Sequence, residues 1–180
     1  MADDALLSAD ELLDVVDEHD EVIGQTRRAE GYAARLRHRC TFILARDADD
    51  RIFVHRRTDR KLVFPGRYSM FVGGVVGAGE TYHDAALREA EEELGVCGLP
   101  APTPLFKFLY QAPEHTWWAY VYEVRCLLPV SPQVEEIAWH AFLTEAELTA
   151  RLPELDWVPD GAEAYQRLST WRREQVAAGH

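Results

Sequence analysis

A mixed α/β (α+β) layer structure is the fold class this chain predicts. Three features carry the prediction. Strand-like runs fill the chain before residue 72, a capped helix follows a glycine-rich loop, and further strands then give way to two helices. Strands interrupted by a helix and followed by helices imply a sheet covered by helical layers. The 180 residues and a hydrophobic share of 47% suit one domain with a sizeable core. It is read as 1–180: a hairpin and connector over 14–37, a core over 38–150, and a C-terminal helical segment over 151–180.

Asp14–Gln25 reads as two short strands with a turn at Asp17–Asp20. The basic stretch Arg27–Arg37 is a connector. His38–Arg46 is a buried strand, DADD a turn, and Arg51–Arg57 the partner strand of a hairpin. A loop from Thr58 then runs into a short strand that ends in glycines. Thr81 and Asp84 stand at N-cap and N3 of the next helix, a capping-box-like pair with Asp for the usual Glu, and Gly95 closes it. Pro100–Pro104 is a rigid connector. PLFKFLYQA and TWWAYVYEVRCLL are two strands of a sheet. Alternation puts Trp117, Ala119 and Val121 on one face of the second, with Trp118, Tyr120 and Tyr122 on the other. VEEIAWHAFL is a strand, TEAELTARL a helix capped by Thr144, and Asp160–Ala177 an amphipathic helix.

The formal net charge is −12. A polymer of phosphates is repelled by most of such a surface, so no nucleic-acid partner is expected, although a small anion can bind in a local basic or metal-containing pocket. No apolar run approaches the roughly 20 residues that span a bilayer. The acidic start MADDALLSADELLD lacks the order of a signal peptide. Cys40, Cys97 and Cys126 are odd in number and unpaired in spacing, which points to reduced thiols and a cytoplasmic location.

The helix carries REAEEEL directly after the glycine-rich loop. Like charges three and four residues apart repel by roughly 0.2–0.5 kcal/mol per pair. At about 100° per residue, Glu89, Glu92 and Glu93 fall within about one third of the circumference. His83, Leu87, Ala90 and Leu94 lie opposite and can pack on the sheet. Glu91 points elsewhere, to solvent or to Arg88. Hard divalent cations such as Mg2+ prefer oxygen ligands, and a bound cation turns the repulsion into the reason for the cluster. Gly73, Gly74, Gly77 and Gly79 allow tight turns and close backbone approach. A carbonyl of this loop can complete a metal shell, and the helix N-terminus favours phosphate. Glu80 precedes the cap and is expected to hold the loop to the helix through Arg88. A glutamate-rich face by itself is more often plain solvated surface.

The full string is more specific. It runs Gly74, five residues, Glu80, seven residues, Arg88-Glu89, two residues, Glu92-Glu93, one residue, Gly95 and then aliphatic Val96. This resembles the Nudix box, with a small Ala90 where the family often has a larger aliphatic residue. The DVVDE…VIG hairpin and the HRRT…FPG segment resemble the branch related to isopentenyl-diphosphate isomerase, and the likeness runs roughly from Asp14 to Leu148. The resemblance implies a Nudix fold: a mixed β-sheet sandwiched between helices, with a loop–helix–loop metal site. It also implies a divalent cation, Mg2+ or Mn2+, and a small-molecule substrate whose diphosphate is linked to another moiety.

On that resemblance Glu89 and Glu93 are metal ligands one turn apart, Glu92 a third ligand or a bridge through water, and Gly73 a carbonyl donor. Glu92, Glu136, Arg88 and Glu80 make up the catalytic set, Glu136 being favoured over Glu135 as a base from a later loop. Arg56, Arg57, Arg60 and Lys61 could hold outer phosphates. Tyr68, Phe71, Trp117, Trp118 and Tyr120 could stack on a base or cover an apolar group; aromatics of this kind also serve simply as core.

Two other readings compete with diphosphate hydrolysis. An isomerase needs positioned proton carriers at carbon. Where the isomerases hold a cysteine before the opening glycine and a histidine after it, this chain has Gly73 and Val75. The strand HTWWAYVY holds no acid before Glu123, and His38 alone would match one of their metal-binding histidines. A non-catalytic binding module typically loses box carboxylates, and all of them are retained here. Apolar surface on the N-terminal hairpin and the aromatic strands is compatible with a homodimer.

Overall fold

The computed structural model describes residues 9–179. Strands β1 (Leu12–Val16) and β2 (Val22–Arg27) form an antiparallel hairpin. The Asp17 carboxylate makes its turn, accepting the His19 and Glu21 N–H groups at 2.8 and 3.0 Å. The segment Arg27–Arg37, expected as a connector, contains a short helix, α1 (Arg28–Ala33). Its Gly31 is buried, and a Cβ there would touch Thr26 and Leu13. Packing on the hairpin therefore organises a stretch whose sequence shows no helical stripe.

The strand β3 (His38–Arg46) is central. It pairs in parallel with β7 (Thr116–Arg125) from His38 opposite Trp117 to Arg46 opposite Arg125. The far side of β7 pairs antiparallel with β6 (Thr103–Gln111), which lies at the sheet edge. Pro104 thus sits inside a strand rather than in a connector. An edge strand tolerates the missing N–H, and the register slips between Pro104 and Phe106.

The next strand, β4 (Ile52–Arg57), meets β3 at Ile52–Arg46 and then turns away from it. It pairs along its length with β8 (Ile137–Leu143), and near its end with the short β5 (Tyr68–Ser69). The chain after β5 fills the wedge between the diverging strands, bridging Val72 to Ile43 and Val75 to Cys40.

Helices cover both faces. On one side α2 (Tyr82–Leu94) buries Ala86, Ala90 and Leu94 against Ile43, Phe53 and Tyr122. After α3 (Glu145–Arg151), held by a complete Thr144/Glu147 capping box, α4 (Pro159–Ala177) covers the other face. Its Ala164 and Leu168 pack with Phe42, Phe108 and Val121. This is the mixed sheet between helices that the sequence predicts. The ends of α2 fall where local chemistry puts them. Thr81 Oγ1 accepts the Asp84 N–H at 3.1 Å and donates to the Asp84 carboxylate at 2.7 Å. Gly95 adopts φ 64°, and a Cβ there would collide with the Ser131 carbonyl. His83 departs from expectation. It is exposed at the rim, Nδ1 3.0 Å from the Tyr122 hydroxyl, while Ala85 and Ala86 take the buried positions.

Candidate active site

A cleft of about 720 Å³ opens where β3 and β4 part. One wall is acidic: Glu89, Glu92 and Glu93 from α2, set behind Gly73 and Gly74. Arg57, Arg60 and Lys61 also line the cleft, with Glu135 and Glu136 from the approach to β8. The cleft also takes in Arg28, Tyr32, Cys40, Phe42, Trp117 and Asp160.

The glycines seat the carboxylates. Gly73 has φ 141°, and a Cβ would run into the Thr41 carbonyl. Its N–H donates to Glu93 Oε2 at 3.2 Å. A Cβ on Gly74 would lie 2.7 Å from Glu89 Oε2, so that carboxylate rests directly on backbone. The Gly74 carbonyl is engaged by the Thr41 N–H at 2.9 Å.

Arg88 ties loop to helix. Its Nε and Nη2 donate to the two Glu80 oxygens at 2.8 and 2.9 Å, and Nη1 donates to Glu89 at 2.7 Å and Glu92 at 3.3 Å. Glu80 also accepts the Gly77 N–H at 2.9 Å, and the Arg88 bond holds its pKa below the usual carboxylate range. Burial pushes Glu89 up to about 7; Arg88 opposes this, and Glu93 and Glu92 add to it. Across the cleft Lys61 is ion-paired with Glu136 and lies 3.8 Å from Glu93. Burial pushes its pKa down. Glu91 is half-buried and is not ion-paired with Arg88. It accepts the Gly98 and Leu99 N–H groups at 2.6 and 2.9 Å and fixes the chain leaving the helix.

Among the described residues no three His, Cys, Asp or Glu side chains converge into a ready coordination shell. Arg88 holds Glu89, while Lys61 and the Gly73 N–H hold Glu93. The donor chemistry nevertheless suits a hard divalent cation. Three carboxylates share one wall, all their donors are oxygen, and one is raised towards neutrality by burial that a positive ion would offset.

The profile of the NUDIX domain family matches residues 36–168, a span that includes the acidic wall, Lys61 and Glu136. The chain belongs to the Nudix family. It is an enzyme of the Nudix pyrophosphohydrolase type, a class that generally depends on divalent metal. The chain is 65% identical over 171 residues to the uncharacterized Nudix hydrolase SCO1686 of Streptomyces coelicolor, covering 94% of each. It is 36% identical to the uncharacterized Nudix hydrolase YfcD of Escherichia coli (strain K12), over 94% of this chain and 91% of that one. The crystal structure of DR0079 from Deinococcus radiodurans superposes with a TM-score of 0.74 at 34% identity, covering 87% of this chain and 98% of that one. A MutT protein from Methanosarcina mazei Go1 shares the fold at a TM-score of 0.61 and 18% identity, covering 76% and 93%. No helix among the described residues is long and apolar enough to cross a membrane.

The Nudix cleft gathers most of the residues singled out in the sequence and leaves out others. Arg57, Arg60, Lys61, Phe71, Trp117 and Glu136 line it with the box carboxylates. Arg56 turns away: its Nε donates to the Gly66 carbonyl at 2.9 Å and Nη2 lies 3.5 Å from Asp59. Tyr68 packs between Trp139 and Trp157 outside the cleft. Trp118 and Tyr120 lie across the sheet, the first donating to the Asp17 carbonyl and covered by Lys107, the second edge-on to Tyr82. His38 is buried beside Tyr32 and Trp117, with Nδ1 3.0 Å from the Leu36 carbonyl oxygen, and burial pushes it down to about 4. Arg28, Tyr32, Phe42 and Asp160 were not picked out from the sequence. The buried-strand run of β3 marks Phe42 only as core; Asp160 reads as an ordinary first-turn acid.

Proposed function

We propose that this chain hydrolyses the diphosphate linkage of a nucleoside diphosphate derivative or a similar small molecule. Glu89 and Glu93 would hold Mg2+ or Mn2+, with Glu92 and the Gly73 carbonyl completing the set. The observation that carries the reading is the make-up of the cleft: the carboxylates of α2 share it with Lys61, 3.8 Å from Glu93, and with Arg57, Arg60 and Glu136. When bound, the metal supplies charge neutralisation and a lowered pKa for a coordinated water.

The chain's own residues do the rest. Lys61 and Arg60 meet the outer phosphate oxygens. Glu136, ion-paired with Lys61, accepts the proton of the attacking water, and Glu92 is the alternative base. Water oxygen bonds to one phosphorus, the bridging P–O bond breaks, and the departing phosphate carries the electron pair. Arg88 and Glu80 keep the loop closed on the helix while this happens. The three free cysteines support a reducing, cytoplasmic setting. Leu12, Val22 and Ile23, exposed on the hairpin, support self-association, which light scattering would measure.

The experiment is a panel of nucleoside di- and triphosphates, nucleotide sugars, dinucleoside polyphosphates, coenzyme A and prenyl diphosphates, with Mg2+ or Mn2+. Release of phosphate or nucleoside monophosphate is expected. Isomerised prenyl diphosphate without phosphate release, or metal-dependent binding without turnover, would overturn the reading.

A further inference from the structure

Strands β1 and β2 contribute no side chain to the cleft, yet they are built onto the loop that seats its carboxylates. Successive side chains of a strand point to opposite faces, and in β1 two neighbours, Leu13 and Asp14, are both buried. Leu13 joins the core with Phe42 and Val75. Asp14, 6% exposed, is buried on the other face, and its two oxygens have separate partners. Oδ1 accepts the Gln25 side-chain amide at 3.0 Å, inside the hairpin. Oδ2 accepts the Gly79 N–H at 2.9 Å, 65 residues along the chain.

Further bonds join the same two segments. The Ala78 N–H donates to the Leu12 carbonyl at 2.9 Å, and Leu13 forms a β-bridge with Gly77. Nearer the start of the loop, the Val76 N–H donates to the Arg39 carbonyl at 2.9 Å. Asp20, in the hairpin turn, accepts Arg39 Nε at 2.6 Å and the hydroxyl of Tyr82, the first residue of α2, at 3.1 Å.

These contacts decide what the loop can do. Its four consecutive N–H groups from Gly77 to Glu80 are all taken, by Glu80, the Leu12 carbonyl, Asp14 and the Gly77 carbonyl in turn. Two of the four acceptors are carboxylates. The approach to α2 therefore has no free row of donors for phosphate, although helix polarity alone would favour one. The loop instead carries Glu80, whose carboxylate grips Arg88, which in turn grips Glu89 and Glu92. Gly79 is exposed, at φ 74°, and cannot fix this stretch by itself.

We propose that Asp14 is a positioning residue for the acidic wall. By fixing the Gly79 N–H it fixes the backbone from which Glu80 reaches Arg88, and through Arg88 the orientation of Glu89. A buried carboxylate is costly unless it is hydrogen-bonded, and its bond to a backbone N–H is roughly twice as strong as a neutral one. The inference goes beyond the function proposed above, and only its turnover readout rests on that reading.

The test compares two removal variants with one that keeps an acceptor. Asp14→Leu keeps the volume and loses both acceptors, and Asp14→Ala is the second removal. Asp14→Asn can turn its carbonyl to Gly79 and its amide to a flipped Gln25. Asp47→Ala is the control, because that carboxylate also accepts two backbone N–H groups, of Asp49 and Arg51, but outside the cleft. On the full chain without added metal, NMR measures solvent exchange of the Gly79 N–H and the Arg88 Nε–H. Both should exchange at least about 10-fold faster in the two removal variants, and within about threefold of wild type in Asp14→Asn and Asp47→Ala. Turnover of whichever diphosphate the wild type hydrolyses should fall at least about 10-fold in the removal variants and recover in Asp14→Asn. A general loss of stability would speed exchange in Asp47→Ala as well, so a response confined to position 14 reports positioning. Unchanged Arg88 exchange, an equal response in Asp47→Ala, or no recovery in Asp14→Asn would overturn the inference. Faster exchange with normal turnover would overturn it too and leave the hydrolase reading standing. A wild type that hydrolyses no diphosphate would sink that reading alone, with the exchange rates still deciding whether Asp14 orients Arg88.

Discussion

Replacing Glu93 by glutamine removes one charge and almost no volume. The side chain is buried, and its Oε2 accepts the Gly73 N–H at 3.2 Å, a bond that an amide oxygen can keep. What glutamine cannot keep is the anionic neighbour of Lys61, 3.8 Å away, or a second negative charge beside Glu89. Losing the first costs stability and losing the second relieves repulsion, so unfolding free energy should change by no more than about 1 kcal/mol. Turnover is a different matter. If the carboxylate helps hold the ion that carries the diphosphate, the rate should fall at least about 100-fold, roughly 2.7 kcal/mol in the transition state. Glu91→Gln is the matched control from the same acidic run. Its Oε1 accepts two backbone N–H groups, so it should lose about 1–2 kcal/mol of stability while keeping turnover within about threefold of wild type. Phosphate release with Mg2+ and urea unfolding measure the two quantities. Near-normal turnover in Glu93→Gln, or an equal loss in Glu91→Gln, would refute the assignment of the acidic wall.

Gly73→Ala should lose more stability in urea than Gly79→Ala. Both have positive φ, but only at Gly73 does a Cβ meet the Thr41 carbonyl; about 1–2 kcal/mol is expected at Gly79 and distinctly more at Gly73. Arg88→Met should cost about 1–2 kcal/mol, discounted because the guanidinium is more than one third exposed. Thermal unfolding of that variant should also rise further with added Mg2+ than the wild type does, since the ion would replace a lost cation, and chelation should abolish the difference. His55 is buried and its pKa lowered by burial to about 3, with Arg57 and Lys61 adding to the shift. The neutral ring folds, whereas below about pH 6.5 the unfolded chain takes up a proton that the fold refuses, so stability falls as pH drops from about 6.5 towards 3. In the middle of that window His55→Leu should flatten the pH dependence of unfolding free energy by about 1.4 kcal/mol per pH unit, and coincident slopes would count against a buried neutral ring.

What could be read in advance was local. Thr81, Asp84 and Gly95 mark the ends of α2 through contacts spanning three or four residues, and the spacing of Glu89, Glu92 and Glu93 fixes their shared face whatever surrounds them. The rest depended on partners distant in sequence. Arg56 and Arg57 are adjacent, so alternation alone sends them to opposite sides of β4. Which side faces the cleft is decided by the divergence of β4 from β3. Helix spacing puts Glu91 off the face that Glu89, Glu92 and Glu93 share, yet its partners lie in the turn at Gly98 and Leu99, which only the folded chain brings back. Asp160 owes its place in the cleft to the bonds between Tyr68 and the chain around Trp157, a junction between segments about 90 residues apart.

The same contacts explain how a chain of net charge −12 can receive an anion at all. Six glutamates line the cleft, Glu11, Glu89, Glu92, Glu93, Glu135 and Glu136, against Arg28, Arg57, Arg60, Lys61 and Arg88. Several of those cations are already engaged. Arg88 is spread over Glu80, Glu89 and Glu92, Lys61 sits between Glu136 and Glu93, and Arg57 donates to the Val63 and Phe64 carbonyls. A bare diphosphate entering this cleft would face a predominantly acidic wall and would have to displace existing ion pairs. A divalent ion held by Glu89 and Glu93 would offset the charge of that wall and would free Lys61 from Glu93 to meet the phosphates. Metal and substrate would then each improve the affinity of the other by the same factor, as linkage requires. In this account the crowding of glutamates on α2, unfavourable in isolation, makes diphosphate binding conditional on the metal that the chemistry also needs.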